Sequence, residues 1–146
     1  MDLDLDVDFD GDGDGDGERR RALKQPSLPT ADTSDMLSFQ RLDVYQRAIE
    51  FLALVYEIVA ELPRGHAARA DQLVRAAESV VRNIAEGAGR WSEADSANRY
   101  TIARGEAMES AASLDVMRLR KLVSDERYAR GIHLLEGIVA MLVKML

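Results

Sequence analysis

Cysteine is absent from this chain, which excludes disulfides, thiolate metal sites and cysteine nucleophiles and suits a reducing cytoplasm. Histidine is scarce: His66 and His133 are the only two. A di-iron bundle needs paired Glu-x-x-His motifs, and the residues three places before the histidines are Pro63 and Arg130, so neither a metal nor any other cofactor is expected. Long apolar runs are missing too, as no segment approaches the roughly 18 uninterrupted apolar residues of a membrane span. The N-terminus has neither the basic region nor the apolar run of a secretory signal. Gly87-Ala88-Gly89 lacks the following spacing and the preceding strand of a phosphate or dinucleotide fingerprint.

What is present divides unevenly. Residues 2 to 17 read DLDLDVDFDGDGDGDG, and the first 18 residues hold nine acidic groups and no basic one. That explains a net charge of −7, because residues 36 to 146 balance at 15 basic against 15 acidic. The repeat is too charged and too glycine-rich to bury anything, so a disordered acidic tail and linker are expected over residues 1–38. Asp6, Asp8, Asp10 and Gly11 open like a calcium loop, but the twelfth position is Gly17, where a bidentate Glu is needed. Starting from Asp8 instead puts Arg19 there. A further reading has the acidic run mimic nucleic acid and compete for the domain's arginines, with Arg19 to Arg21 as a counter-charged hinge, and Met36 is an alternative start beyond the linker-like QPSLPTADTSD.

Residues 39–146 carry four helical patterns. The first runs from Gln40 to Leu62, ahead of Pro63, with Asp43, Arg47, Glu50, Glu57 and Glu61 on one stripe. Val44, Ala48, Phe51, Val55, Ile58 and Leu62 form one apolar face; Tyr45, Ile49, Leu52, Tyr56 and Val59 form a second. The next helix, Ala67 to Ala88, has Leu73, Ala77, Val80 and Ile84 at seam spacing and possible ion pairs Asp71–Arg75, Glu78–Arg82 and Arg82–Glu86. Gly87 and Gly89 are expected to end it at positive φ.

A long helix rich in small residues follows from Ser92 to Leu122, opened by Ser92 and Asp95 as an N-cap pair. The last runs from Asp125 to Leu146, with Glu126, Arg130, His133, Gly137, Ala140 and Lys144 on one stripe. Short loops make an all-α, antiparallel up-down-up-down four-helix bundle the natural arrangement. The doubly apolar first and last helices are the expected surfaces for self-association.

The wording of the second and third helices is specific. RAAESVVRNIAEGAGR, between LDVYQRAIEFLALVYEIVAELP and ARGEAMES, resembles the bacterial four-helix-bundle proteins encoded in intervening sequences of 23S ribosomal RNA genes, over roughly residues 39 to 146. The resemblance implies a small helical protein that assembles with itself, often as a pentamer. It further implies kinship with nucleic-acid-binding accessories of diversity-generating reverse transcriptases, so RNA or DNA and a nucleic-acid enzyme are the implied partners. Asn83, Glu86 and Glu109 fall on its N-x-x-E-G and A-x-G-S-A-x-E patterns, and two readings compete for them: buried polar groups that fix helix packing, or contacts to a ligand or partner. Glu106 stands where the second pattern has Ser, and would need an arginine partner such as Arg82, Arg99 or Arg104.

For nucleic acid, the central candidates are Arg75, Arg82, Arg90, Arg99 and Arg104, with Arg64, Arg69, Arg118, Arg120 and Lys121 around them and Trp91 and Tyr100 as stacking groups. The expected role is that of a non-enzymatic, self-assembling scaffold or accessory. A protein adaptor without nucleic-acid binding is the alternative. A distant third is an RNA-cleaving Arg127/His133 pair, whose spacing resembles that of the helical HEPN ribonucleases, although the intervening YARGI lacks their usual polar residue.

Overall fold

Leu73, Ala77, Val80 and Ile84, the seam read from the sequence, are all buried, and the helix that carries them is α2, Ala67–Ala88. The computed structural model describes residues 37–146; the acidic repeat, the calcium-loop reading and the Met36 start lie outside them. The other helices are α1, Asp43–Ala60, α3, Glu93–Leu119, and α4, Asp125–Lys144. The fold is all-α, with no strand among the described residues.

Each helix packs on its neighbour in sequence, and α1 closes the ring against α4. Contacts between α4 and α1 run in opposite senses: Arg127 meets Glu57 and Glu61, Arg130 meets Glu50, and Gly137 lies under Arg47. The α2–α3 pair shows the same reversal, with Glu86 and Gly87 beside Arg99 and Tyr100 while Gln72 and Arg75 share a cleft with Glu106 and Glu109. The core is continuous, centred on Phe51, Leu54, Leu73, Leu114, Ile138 and Leu142, each at most 1% exposed.

Local chemistry explains the helix ends. Ser92 caps α3 as expected, its hydroxyl accepting a hydrogen bond from the Asp95 amide at 3.1 Å, and Ser124 caps α4 in the same way through Arg127. The first helix begins later than its periodicity predicts, because Ser38–Arg41 form a separate 3-10 turn and Leu42 is extended. At the far end of α3 the helix stops at Leu119 instead of Leu122. Lys121 adopts φ +59°, its amide donates to Arg118, and the Leu122 amide reaches back to the Met117 carbonyl. That is a Schellman stop, built here without glycine.

The expected role of Gly87 and Gly89 is corrected: Gly65 is the glycine at positive φ among the described residues, whereas Gly89 has φ −97°. Gly87 is buried inside α2, where a Cβ would lie 2.5 Å from the Tyr100 ring. Its small size makes room for an aromatic neighbour. On α1 the second apolar face is half-buried within the protomer, and Tyr56 donates its hydroxyl hydrogen to Glu78 of α2 at 2.7 Å. The exposed large apolar side chains among the described residues are Ile102, Met108, Val116 and Leu119 on α3, Val143 on α4, and Leu37, Trp91 and Leu146 outside the helices.

Candidate nucleic-acid interface

The flank of α2 that turns toward α3 carries most of the polar residues singled out from the sequence. Asn83 is buried there and fully engaged: its amide nitrogen donates to the Ser79 carbonyl at 2.9 Å and hydroxyl at 3.0 Å, and its oxygen accepts from Arg99 at 3.3 Å. The same Arg99 guanidinium lies 3.2 Å from Glu86, which also draws Arg90 at 3.7 Å. Ser96 donates to the Gly87 carbonyl at 2.8 Å. This network crosses from α2 to α3 where Tyr100 occupies the space left by Gly87.

Arg75 and Arg82 are exposed along the edge of α2. The two are seven residues apart, two helical turns or about 10.5 Å, and Arg90 follows just past the C-terminal end of the helix. Arg82 is 3.6 Å from Glu78, an i,i+4 pair expected from the sequence. The expected Asp71–Arg75 and Arg82–Glu86 pairs do not form among the described residues, since Glu86 turns to Arg90 and Arg99. Trp91, immediately after Arg90, is 100% exposed. Tyr100, the other stacking candidate, is buried and cannot stack on a base.

Between the two helices lies an open cleft of about 380 Å³. Arg75 and Arg82 stand on its α2 wall, with Gln72 and Ser79, while Glu106 and Glu109 occupy the α3 wall. Burial raises the Glu106 carboxyl above the ordinary carboxylate range, and the adjacent charge and hydrogen bond of Glu109 push it further the same way. Glu106 thus pairs with an acid, where an arginine was expected: Arg99 is held by Asn83 and Glu86, and Arg82 by Glu78. Arg104 is half-buried on α3, its Nε enclosed without a hydrogen-bond partner.

The raised Glu106 carboxyl has a consequence for stability. Its folded pKa exceeds its unfolded value, so the penalty is absent below the ordinary carboxylate range and grows as pH rises through the folded pKa. Glu106→Gln is expected to stabilise the protein at pH 7 by about 0.5 kcal/mol, the scale of a like-charge helical pair, with the gain vanishing near pH 4. Urea titrations of both proteins at the two pH values measure it.

Other candidates are placed elsewhere. Arg127 is bound to Glu57 of α1 and to Glu61 just past its end, and His133 is exposed, six residues and so about 120° around α4. Arg118 stacks over the Tyr128 ring at 4.5 Å, beside Asp125. The described residues hold no group of three or more acidic, histidine or cysteine side chains able to hold a metal ion, and no helix long and apolar enough to cross a membrane.

The sequence profile described as 23S rRNA-intervening sequence protein matches residues 40–144, the whole of this bundle. The chain belongs to that family. No curated protein matches it significantly. In this family member the N-x-x-E-G stretch becomes the Asn83–Glu86–Gly87 junction just described, where each element of the motif meets α3: Asn83 and Glu86 through Arg99, Gly87 through Tyr100 and Ser96. Glu109, from the second stretch, sits apart from that junction, on the wall of the cleft. The sequence missed the cleft because its walls come from residues some 30 positions apart that only the α2–α3 packing aligns.

Proposed function

We propose that this family member is a non-enzymatic scaffold that assembles with itself in the cytoplasm and binds a nucleic acid, RNA or DNA, as an accessory to a nucleic-acid enzyme. The observation that carries the reading is that the exposed Arg75 and Arg82 of α2 are followed, just past its end, by the exposed Arg90 and the fully exposed Trp91. The ion pairs of Arg82 and Arg90 are long and exposed, worth about 0–1 kcal/mol, so a phosphate can replace their carboxylates at little cost. An exposed indole beside them offers a surface on which an unpaired base can stack. In this arrangement Arg99 holds the α2–α3 junction, with Asn83 and Glu86, and supports the edge from behind.

Self-assembly is supported by the outward apolar residues of α3, which a solitary bundle would ordinarily replace with charge. Assembly repeats these arginines on each protomer, and phosphate binding scales with the number of contacts. Those same apolar residues favour the second reading, an adaptor for another protein. The ribonuclease reading has less support, since Arg127 is engaged by two carboxylates and points to a different side of α4 from His133.

Light scattering after size exclusion, with a salt titration of RNA and DNA binding on the same sample, tests the proposal. The expected result is a multimer, with five protomers as the number the family resemblance implies, whose affinity falls steeply with salt. A monomer, or a multimer without salt-dependent binding, contradicts it.

A further inference from the structure

We propose that the α2–α3 cleft takes one guanine nucleotide unit of a single strand, its phosphate on Arg75 and Arg82 and its base edge on the Glu106–Glu109 pair. The inference rests on the nucleic-acid reading above and names what the cleft selects. The two walls are chemically opposite. Guanidinium groups only donate hydrogen bonds and ionised carboxylates only accept them, so a ligand spanning the cleft must present an anion on one side and N–H groups on the other. Arg75 has no ion-pair partner among the described residues, and Arg82 has only the long contact to Glu78. The space of about 380 Å³ lies within the usual range for small-molecule sites.

Among the four bases, guanine alone shows two adjacent N–H donors on its Watson–Crick edge, from N1 and the exocyclic N2, which match the two oxygens of one carboxylate. Adenine and cytosine place a ring acceptor beside their amino group, and uracil flanks one N–H with two carbonyls, so each turns a lone pair toward the glutamates. The edge must be free, which requires an unpaired strand. The carboxylates also repel the phosphate and so fix the orientation of the unit toward the α2 wall. Because N–H donors favour the ionised carboxylate, binding is expected to tighten as pH rises through the elevated range of Glu106.

The test uses the full chain and labelled RNA ten-mers of adenine and uracil with guanine, inosine or adenine at one central position, read by fluorescence anisotropy at fixed salt. The guanine strand is expected to bind about tenfold tighter than the adenine strand, within the discrimination given by a bidentate base contact, with inosine, which lacks the N2 amine, in between. Glu109→Gln together with Glu106→Gln is expected to abolish that preference while leaving the salt slope intact, whereas Arg75→Ala weakens all three strands alike. Equal affinities for the three strands, or a guanine preference that survives the double glutamine variant, overturns the assignment. Failure to bind any strand at low salt overturns the nucleic-acid reading itself.

Discussion

Phe51→Ala is expected to lower the free energy of unfolding by about 3–5 kcal/mol, the range for a large aromatic truncated in a packed core. The side chain is 0% exposed and converges with Leu54 of α1 and Leu114 of α3 on the backbone of Gly131 in α4. Three helices therefore lose a common contact when the ring is removed. The neighbours cannot simply close in, because Gly131 brings no side chain to fill the void. For a domain whose total stability is typically about 5–15 kcal/mol, such a loss leaves little. Urea unfolding followed by circular dichroism at 25 °C measures it, and a loss below about 1 kcal/mol would mean that the core is not organised around Phe51.

Gly87→Ala is expected to destabilise by about 1–3 kcal/mol, although alanine is ordinarily the better helix residue. A Cβ at Gly87 would stand 2.5, 2.8 and 3.0 Å from three atoms of the Tyr100 ring. That ring is only 7% exposed, so it cannot swing aside without opening the core between α2 and α3. Gly105→Ala provides the opposite case. Gly105 lies exposed in α3, and a Cβ added there would meet nothing within 4 Å, so the same substitution is expected to stabilise by about 0.5–1 kcal/mol. Matching thermal melts of the two variants check the sign. If both move in the same direction, the tight α2–α3 approach at Gly87 is not the reason for that glycine.

Much of this architecture was legible in residue spacing. The limits of α2 coincide with the stretch read from periodicity, and its seam is buried residue for residue. Where spacing misled, the cause was tertiary. Gly87 looked like a helix stop because glycine usually serves there, yet its task is to admit Tyr100 from another helix. The stop at Lys121 carried no glycine or asparagine to announce it. Ile49, Leu52, Tyr56 and Val59, read as a second apolar face, are half-covered within the protomer. The candidate site was legible only as a set of arginine positions. Which of them remain free depends on how α3 lies across α2, since that crossing draws Arg99 into the Asn83–Glu86 junction and leaves Arg75 unpaired beside the cleft. Glu106 meets Glu109 along α3 itself at i,i+3 spacing, a contact that helical spacing permits but cannot separate from an arginine pairing.

Whether the α2 edge binds nucleic acid is decided by the salt dependence of single-stranded RNA and DNA binding, compared between the wild-type chain and a variant carrying Arg75→Ala, Arg82→Ala and Arg90→Ala. On a single strand each phosphate contact contributes about 0.7 to the slope of log affinity against log salt. Losing the phosphate shared by Arg75 and Arg82 and the one on Arg90 is therefore expected to reduce the slope by roughly 1.4 units, while the thermal melt of the variant stays within a few degrees of wild type. An unchanged slope, with the variant folded, would show that nucleic acid does not bind along Arg75, Arg82 and Arg90 and would contradict the proposed function.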